Sequence, residues 1–170
     1  DIELDLFGTS LGVDLSHEML SVARANLSRA GLSNVYVRHS DMYRLPWPAP
    51  AFDAITFHQV LHFADDPAKA IAEAARVMRP GGRLVIVDFA PHALEFLRER
   101  EAHERLGFPA AQVSGWMSDA GLEPRPCRDL APKSGEDAQK LTVSIWAATR
   151  PETSAKTLNK TGGSRAAKLE

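Results

Sequence analysis

The sequence predicts an α/β protein with a Rossmann-like, mostly parallel sheet, helices on both faces and an antiparallel C-terminal strand. Two observations lead there. Short apolar runs of β period alternate with longer stretches of helical period. The run Leu84-Val85-Ile86-Val87 is apolar throughout, as a parallel strand covered on both faces requires.

Strands and helices alternate from the start. Residues 11–15 form a short apolar run containing Asp14, and Ser16 can cap the next helix with Glu18 favouring its positive end. Met19, Leu20, Ala23, Leu27 and Ala30 make one stripe at helical spacing, and Gly31 stops it. Val35-Tyr36-Val37 is a second strand, leading to Asp41-Met42-Tyr43. Pro46, Pro48 and Pro50 exclude regular structure from the next stretch. Residues 52–57 form a third strand running into His58-Gln59-Val60-Leu61-His62. Asp66-Pro67 opens a helix whose inner face is Ala70, Ile71, Ala74, Val77 and Met78. Arg79-Pro80-Gly81-Gly82 ends that helix and turns the chain into the strand at 84–87.

Beyond Asp88 the pattern reads as helical to about Leu106. Val113, Trp116, Met117 and Ala120 mark another helix ended by Gly121. A weak strand is expected at 126–130, a loop at 132–137 and a stronger strand at 141–148. From Pro151 the apolar content falls, so residues 1–150 are expected as one domain and 151–170 as a disordered tail whose closing Leu-Glu suits a cloning remnant.

Composition narrows the function classes. The 170 residues carry 20 basic and 22 acidic side chains, a formal net charge of −2. That balance gives no basis for a nucleic-acid groove or a polybasic membrane surface. Cys127 is the only cysteine, so neither an internal disulfide nor a thiolate metal cluster can form, and a reducing cytoplasm is the expected compartment. No apolar run reaches the roughly 20 residues that span a bilayer.

Three ordered segments carry a family resemblance. They are Gly12-Val13-Asp14-Leu15-Ser16 before a helix with Met19-Leu20; Asp41-Met42 before Leu45-Pro46 and Phe52-Asp53; and Leu61-His62-Phe63 before a helix into Met78-Arg79-Pro80-Gly81-Gly82-Arg83-Leu84. In this order and spacing they resemble class I S-adenosylmethionine-dependent methyltransferases, in the small-molecule branch that includes ubiquinone-biosynthesis enzymes. The stretches 58–63 and 87–92 are also similar to methyltransferase domains fused behind winged-helix ArsR-type regulators.

The resemblance implies S-adenosylmethionine as cofactor, S-adenosylhomocysteine as product and a small organic molecule as methyl acceptor. In an open parallel sheet the ligand lies at the carboxyl ends of the strands. Asp14, with Leu15 beside it, is then expected at the ribose hydroxyls, against the alternative of a helix-entry acid. Asp41 is expected at the adenine amino group with Met42 flanking the ring, against that of an ordinary turn acid. His58 would line the methionine part of the cofactor, or be a solvated loop histidine.

His62 has three readings. It can serve as general base for a hydroxyl nucleophile, since an imidazole titrates near neutrality. It can merely pack against the sheet. Paired with His58 four residues earlier it invites a metal, but Gln59 stands where a zinc-protease helix has glutamate, and no metal is expected. The Arg79-Pro80-Gly81-Gly82 turn is structural, and Asp88 either bounds the acceptor side or begins a loop.

The chain departs from the family pattern at its start. Such domains begin with a strand and a glycine-rich turn against the cofactor, and no G-x-G-x-G occurs here. Ile2, Leu4, Leu6 and Phe7 are expected to be the remnant of the helix after that turn, with the central strand missing and two strand edges left unpaired. The functional expectation is methyl transfer from S-adenosylmethionine to a small acceptor. The alternatives are a nucleoside-binding regulatory or scaffold module without turnover, and a nicotinamide-dependent dehydrogenase, for which no hydride-transfer pair is found.

Overall fold

The computed structural model describes residues 8–132 and 141–152. The expectations for residues 1–7, most of the 132–137 loop and the tail beyond 152 lie outside the described residues.

Strand β1 (Ser10–Asp14) pairs in parallel with β2 (Val35–His39), joined by helix α1 (His17–Arg29). The helix starts as the sequence requires: Met19 N–H donates to Ser16 Oγ at 3.1 Å. It ends in a left-handed Gly31, with Leu32 N–H returning to the Leu27 carbonyl. Only Leu20 of α1 is buried, so this unit is held by one narrow stripe.

The second sheet has the order β3 (Phe52–His58), β4 (Met78–Phe89), β7 (Val143–Thr149), β5 (Glu123–Pro124), with β6 (Arg128–Leu130) also on β7. β3 and β4 are parallel, and β7 runs antiparallel to β4, β5 and β6. The fold is thus the expected α/β type with an antiparallel C-terminal strand. Among the described residues no strand joins β1 to β3, so the two sheets remain separate.

The core lies on the second sheet. Helices α2 (Pro67–Val77) and α4 (Ala110–Asp119) pack there side by side. Ala70, Ile71, Ala74 and Val77 of α2, Val113 and Met117 of α4, and Leu84, Ile86 and Trp146 of the strands are fully buried. Each of the larger aliphatic side chains contributes about 1.5–3 kcal/mol by leaving water. The Trp146 indole N–H is not stranded, because it donates to the Ala110 carbonyl at 3.1 Å.

The proline-rich loop is tied to α2. The Glu73 carboxylate accepts Leu45 N–H at 2.7 Å, and Arg76 donates to the carbonyls of Leu45 and Trp47. The hydrogen bond from Arg76 holds Glu73 below the usual carboxylate range.

Two expectations are corrected. Arg79-Pro80-Gly81-Gly82 does not simply precede the strand but lies within β4, which starts at Met78 opposite Phe52. The ladder slips between Phe52 and Ala54, and Gly81 takes φ +76° while its N–H donates to the Arg150 carbonyl. The long helix expected beyond Asp88 shrinks to α3 (Phe96–Glu101), which buries no residue. Backbone bonds to distant segments hold the chain on either side of that short helix: Ala90 N–H donates to Thr142 O and Phe108 N–H to Phe89 O. Gly107, at φ +81°, passes so close that a Cβ would stand 2.1 Å from the Ala90 carbonyl oxygen.

Candidate active site

Parallel pairing puts the chemistry-bearing residues at strand carboxyl ends. Asp14 closes β1 in register with His39, and Ser40 N–H donates to the Asp14 carbonyl, so Asp41 follows directly on the neighbouring strand tip. Both carboxylates therefore stand at one end of one strand pair. Asp14 Oδ1 accepts Ser16 N–H at 2.7 Å, and Asp41 Oδ1 accepts Tyr43 N–H at 2.9 Å. Asp14 thus serves helix entry as well as standing exposed, and each carboxylate keeps its Oδ2 without a hydrogen bond among the described residues. Leu15 and Met19 are apolar side chains left more than half exposed beside Asp14. A cavity of about 200 Å³ opens between β1 and α1 against Asp14, its other walls coming from Val13, Leu20, Ala23 and Val37. Met42 is half-buried and leans on the main core. His39 stacks on His17 with ring centroids 4.2 Å apart, a pairing the sequence did not reveal.

The second group sits on β3 and β4. His58 ends β3 opposite Val87 and is exposed. Gln59 then takes φ +50°, unusual for a residue with a side chain, while its N–H donates to Val87 O at 2.7 Å. That sharp turn carries the 3-10 segment Leu61–Phe63 over the end of β4. Asp88 waits there, fully buried, and accepts three hydrogen bonds: from Leu61 N–H at 3.1 Å, Phe89 N–H at 2.8 Å and His62 Nδ1 at 2.8 Å. A carboxylate can only accept, so Nδ1 of His62 is the donor of this bond, and in a neutral ring Nε2 is then the nitrogen with the lone pair.

The sequence flagged His62 and Asp88 separately but could not join them, because their 26-residue separation is bridged only by the β3–β4 pairing. The ring of His62 lies among Phe63, Phe89 and His103 at centroid distances of 4.0, 5.0 and 4.2 Å. His103 is buried, and His92 stands edge-on to Phe89. Burial, then the neighbouring His62, pushes both His92 and His103 below the ordinary imidazole range. The segment bearing His103 is latched down: Glu104 and Arg105 N–H donate to the His62 carbonyl, and the Arg105 guanidinium reaches the carbonyls of Ala64 and Asp65. Among the described residues no three His, Cys, Asp or Glu side chains are grouped to hold a metal ion.

An α/β sheet with carboxylates at adjoining parallel strand tips is of the class of fold that binds ligands at the carboxyl ends of its strands. The sequence pattern of the methyltransferase domain family matches residues 2–86, half of the chain. The chain belongs to that family, the class I S-adenosylmethionine-dependent methyltransferases. It is 31% identical over 144 residues to the 27-O-demethylrifamycin SV methyltransferase of Amycolatopsis mediterranei, covering 79% of this chain and 50% of that protein. It is 34% identical over 93 residues to the ubiquinone/menaquinone biosynthesis C-methyltransferase UbiE of a Marinomonas species, covering 54% and 37%. The chain thus spans half or less of these relatives' lengths. Among solved structures, geranyl diphosphate methyltransferase in complex with SAM superposes with a TM-score of 0.69 at 20% identity, covering 86% of this chain and 71% of that one, which speaks to the fold alone.

Proposed function

We propose that this protein transfers a methyl group from S-adenosylmethionine to a small organic acceptor, with Asp14 and Asp41 holding the nucleoside and His62 acting as general base. Family membership supports the cofactor. The observation that carries the reading is the placement of Asp14 and Asp41 on adjoining tips of one parallel strand pair. The donor set suits the nucleoside: each carboxylate is anchored through Oδ1, leaving Oδ2 for a ribose hydroxyl or the adenine amino group. Leu15 and Met19 supply exposed apolar surface beside Asp14; in this reading Met42 flanks the adenine and His58 lines the methionine part of the cofactor.

When bound, the cofactor supplies a sulfonium methyl carbon that passes to the acceptor with the carbon–sulfur electron pair staying on sulfur. The protein's work is alignment and proton removal. Asp88 holds the His62 ring by Nδ1, and Nε2 takes the acceptor's proton and passes it to water. Residues 1–150 act as the methyltransferase domain in this reading. The near-neutral charge and the lone cysteine agree with a small-molecule acceptor in a reducing cytoplasm.

Calorimetric titration of the full-length protein with S-adenosylmethionine and S-adenosylhomocysteine tests the reading. Both should bind, and Asp14→Ala should weaken binding by about 2–3 kcal/mol, roughly 30- to 150-fold, for a charged hydrogen-bond acceptor lost. Absence of heat with either ligand would overturn the assignment.

A further inference from the structure

Pro46, Pro48 and Pro50 leave the chain between β2 and β3 with neither strand nor helix to fix it, so side chains from elsewhere must do so. That stretch begins at Asp41. Among the described residues no ladder links the two sheets, and this loop carries the chain from one to the other. What holds the loop therefore helps to set where Asp41 stands.

The turn at Asp41 is tight. Asp41 Oδ1 accepts Tyr43 N–H at 2.9 Å and the Asp41 carbonyl accepts Arg44 N–H at 3.2 Å, so the carboxylate is itself part of the turn. Helix α2 and its cap grip the next residues twice. The Tyr43 hydroxyl accepts the N–H of Asp66, the cap residue, at 3.1 Å, and the Lys69 ammonium lies 5.5 Å from the tyrosine ring centroid. Further along the helix, Glu73 Oε1 accepts Leu45 N–H at 2.7 Å. Arg76 locks that carboxylate with Nε on Oε2 at 2.8 Å and Nη2 on Oε1 at 2.7 Å, and also donates to the carbonyls of Leu45 and Trp47. The inner face of α2 is Ala70, Ile71, Ala74 and Val77, so core packing does not ask for a carboxylate at position 73. Yet the Glu73 side chain is only 13% exposed and both its oxygens are engaged. Its role lies in the loop.

We propose that Glu73 is a positioning residue for the adenine of the cofactor: by holding Leu45 it fixes the 41–45 turn and aims Asp41 Oδ2 at the adenine amino group. This rests on the reading that Asp41 accepts from that amino group. Because Oδ1 is spent inside the turn, the direction of Oδ2 follows the geometry of the turn. A turn fixed beforehand presents its acceptor without an ordering cost at the moment of binding; a loosened one must be ordered by the ligand. A Glu73 that served only the fold would support the whole cofactor alike, whereas a positioning Glu73 acts through one hydrogen bond.

The test compares two ligands by calorimetry on the full-length protein: S-adenosylhomocysteine, and its analogue with hydrogen in place of the adenine amino group. Wild type should prefer S-adenosylhomocysteine by about ten-fold or more, the share of a hydrogen bond to a charged acceptor, and Asp41→Ala should abolish that preference. Glu73→Ala should shrink it to within about three-fold although Asp41 is still present, with the analogue bound nearly as in wild type. Glu73→Gln can still accept from Leu45 N–H but no longer pairs with Arg76, and its preference should fall in between. It carries the test should the alanine protein fail to fold, and a full wild-type preference in it would then count against the role. Asp53→Asn, which removes a surface ion pair with Arg79, should leave the preference unchanged. A Glu73→Ala protein that loses affinity for both ligands equally, its preference intact, would overturn the positioning role and leave that of Asp41 standing. A wild type without any preference would overturn the role of Asp41, and that of Glu73 with it.

Discussion

Replacing Asp88 by Asn should destabilise this protein far more than a one-atom change suggests. The native carboxylate has no solvent exposure and accepts from Leu61 N–H, Phe89 N–H and His62 Nδ1. An asparagine oxygen in the Oδ1 position keeps the bonds from His62 and Phe89, but places its NH2 against Leu61 N–H. One charge-assisted bond is lost and a buried donor is stranded, a cost of about 2–4 kcal/mol. For a domain of this size that lowers Tm by roughly 5–15 °C. The opposite amide orientation points NH2 at His62 Nδ1 and drives the proton to Nε2, removing the lone pair a general base needs. Urea unfolding followed by circular dichroism reads the stability, and nitrogen-15 NMR reads the His62 tautomer. Asp53→Asn is the control, since its ion pair with Arg79 is at the surface and should be worth less than about 1 kcal/mol. An Asp88→Asn protein as stable as wild type, with Nδ1 of His62 still protonated, would refute the role given to Asp88.

Gly107→Ala should cost roughly 3 kcal/mol, because the backbone is left-handed and the new Cβ would meet the Ala90 carbonyl oxygen at 2.1 Å; thermal unfolding checks this, and a Tm within about 2 °C of wild type, too small a change for such a cost in a domain of this size, would contradict it. Stability should also depend on pH through His92 and His103. Their folded-state pKa values are lowered by burial first and His62 second, partly offset for His103 by Asp88 and Glu101 and for His92 by Glu95. The stability they provide is complete above the unfolded-state value of about 6.5 and is lost as pH falls through the lowered folded values. Each histidine adds a slope of up to about 1.4 kcal/mol per pH unit in that window. Urea midpoints at about pH 7.5, above the unfolded-state value, and at about pH 5.0, below it, should diverge for wild type and less so for His103→Phe, and equal divergence would count against a buried His103 with a lowered pKa.

Much of this fold was legible because its signals are local. Ser16 caps α1 within three residues of its partner Met19, and Asp66-Pro67 opens α2 in the expected way, with Asp66 Oδ1 accepting Lys69 N–H. The unbroken apolar run 84–87 became the inner part of β4, where Leu84 and Ile86 are fully buried. The long helix beyond Asp88 failed as a reading for the complementary reason. Its helical spacing was real, but the partners that hold Ala90 and Phe108 are Thr142 and Phe89, which no local window contains.

The site divides the same way. By itself the sequence determined that Asp14 and Asp41 stand at or just past strand ends, and His58 and His62 at and beyond the end of a third, because strand ends and turn residues are written in neighbouring positions. Only the tertiary structure decided that Asp14 and Asp41 stand on adjoining tips, that Asp88 accepts a hydrogen bond from His62 Nδ1, and that His92 and His103 join the same aromatic cluster. Those relations depend on parallel strand pairing and on a latched loop. They are long-range contacts whose distances arise only when the sheet assembles and water leaves the space between its parts.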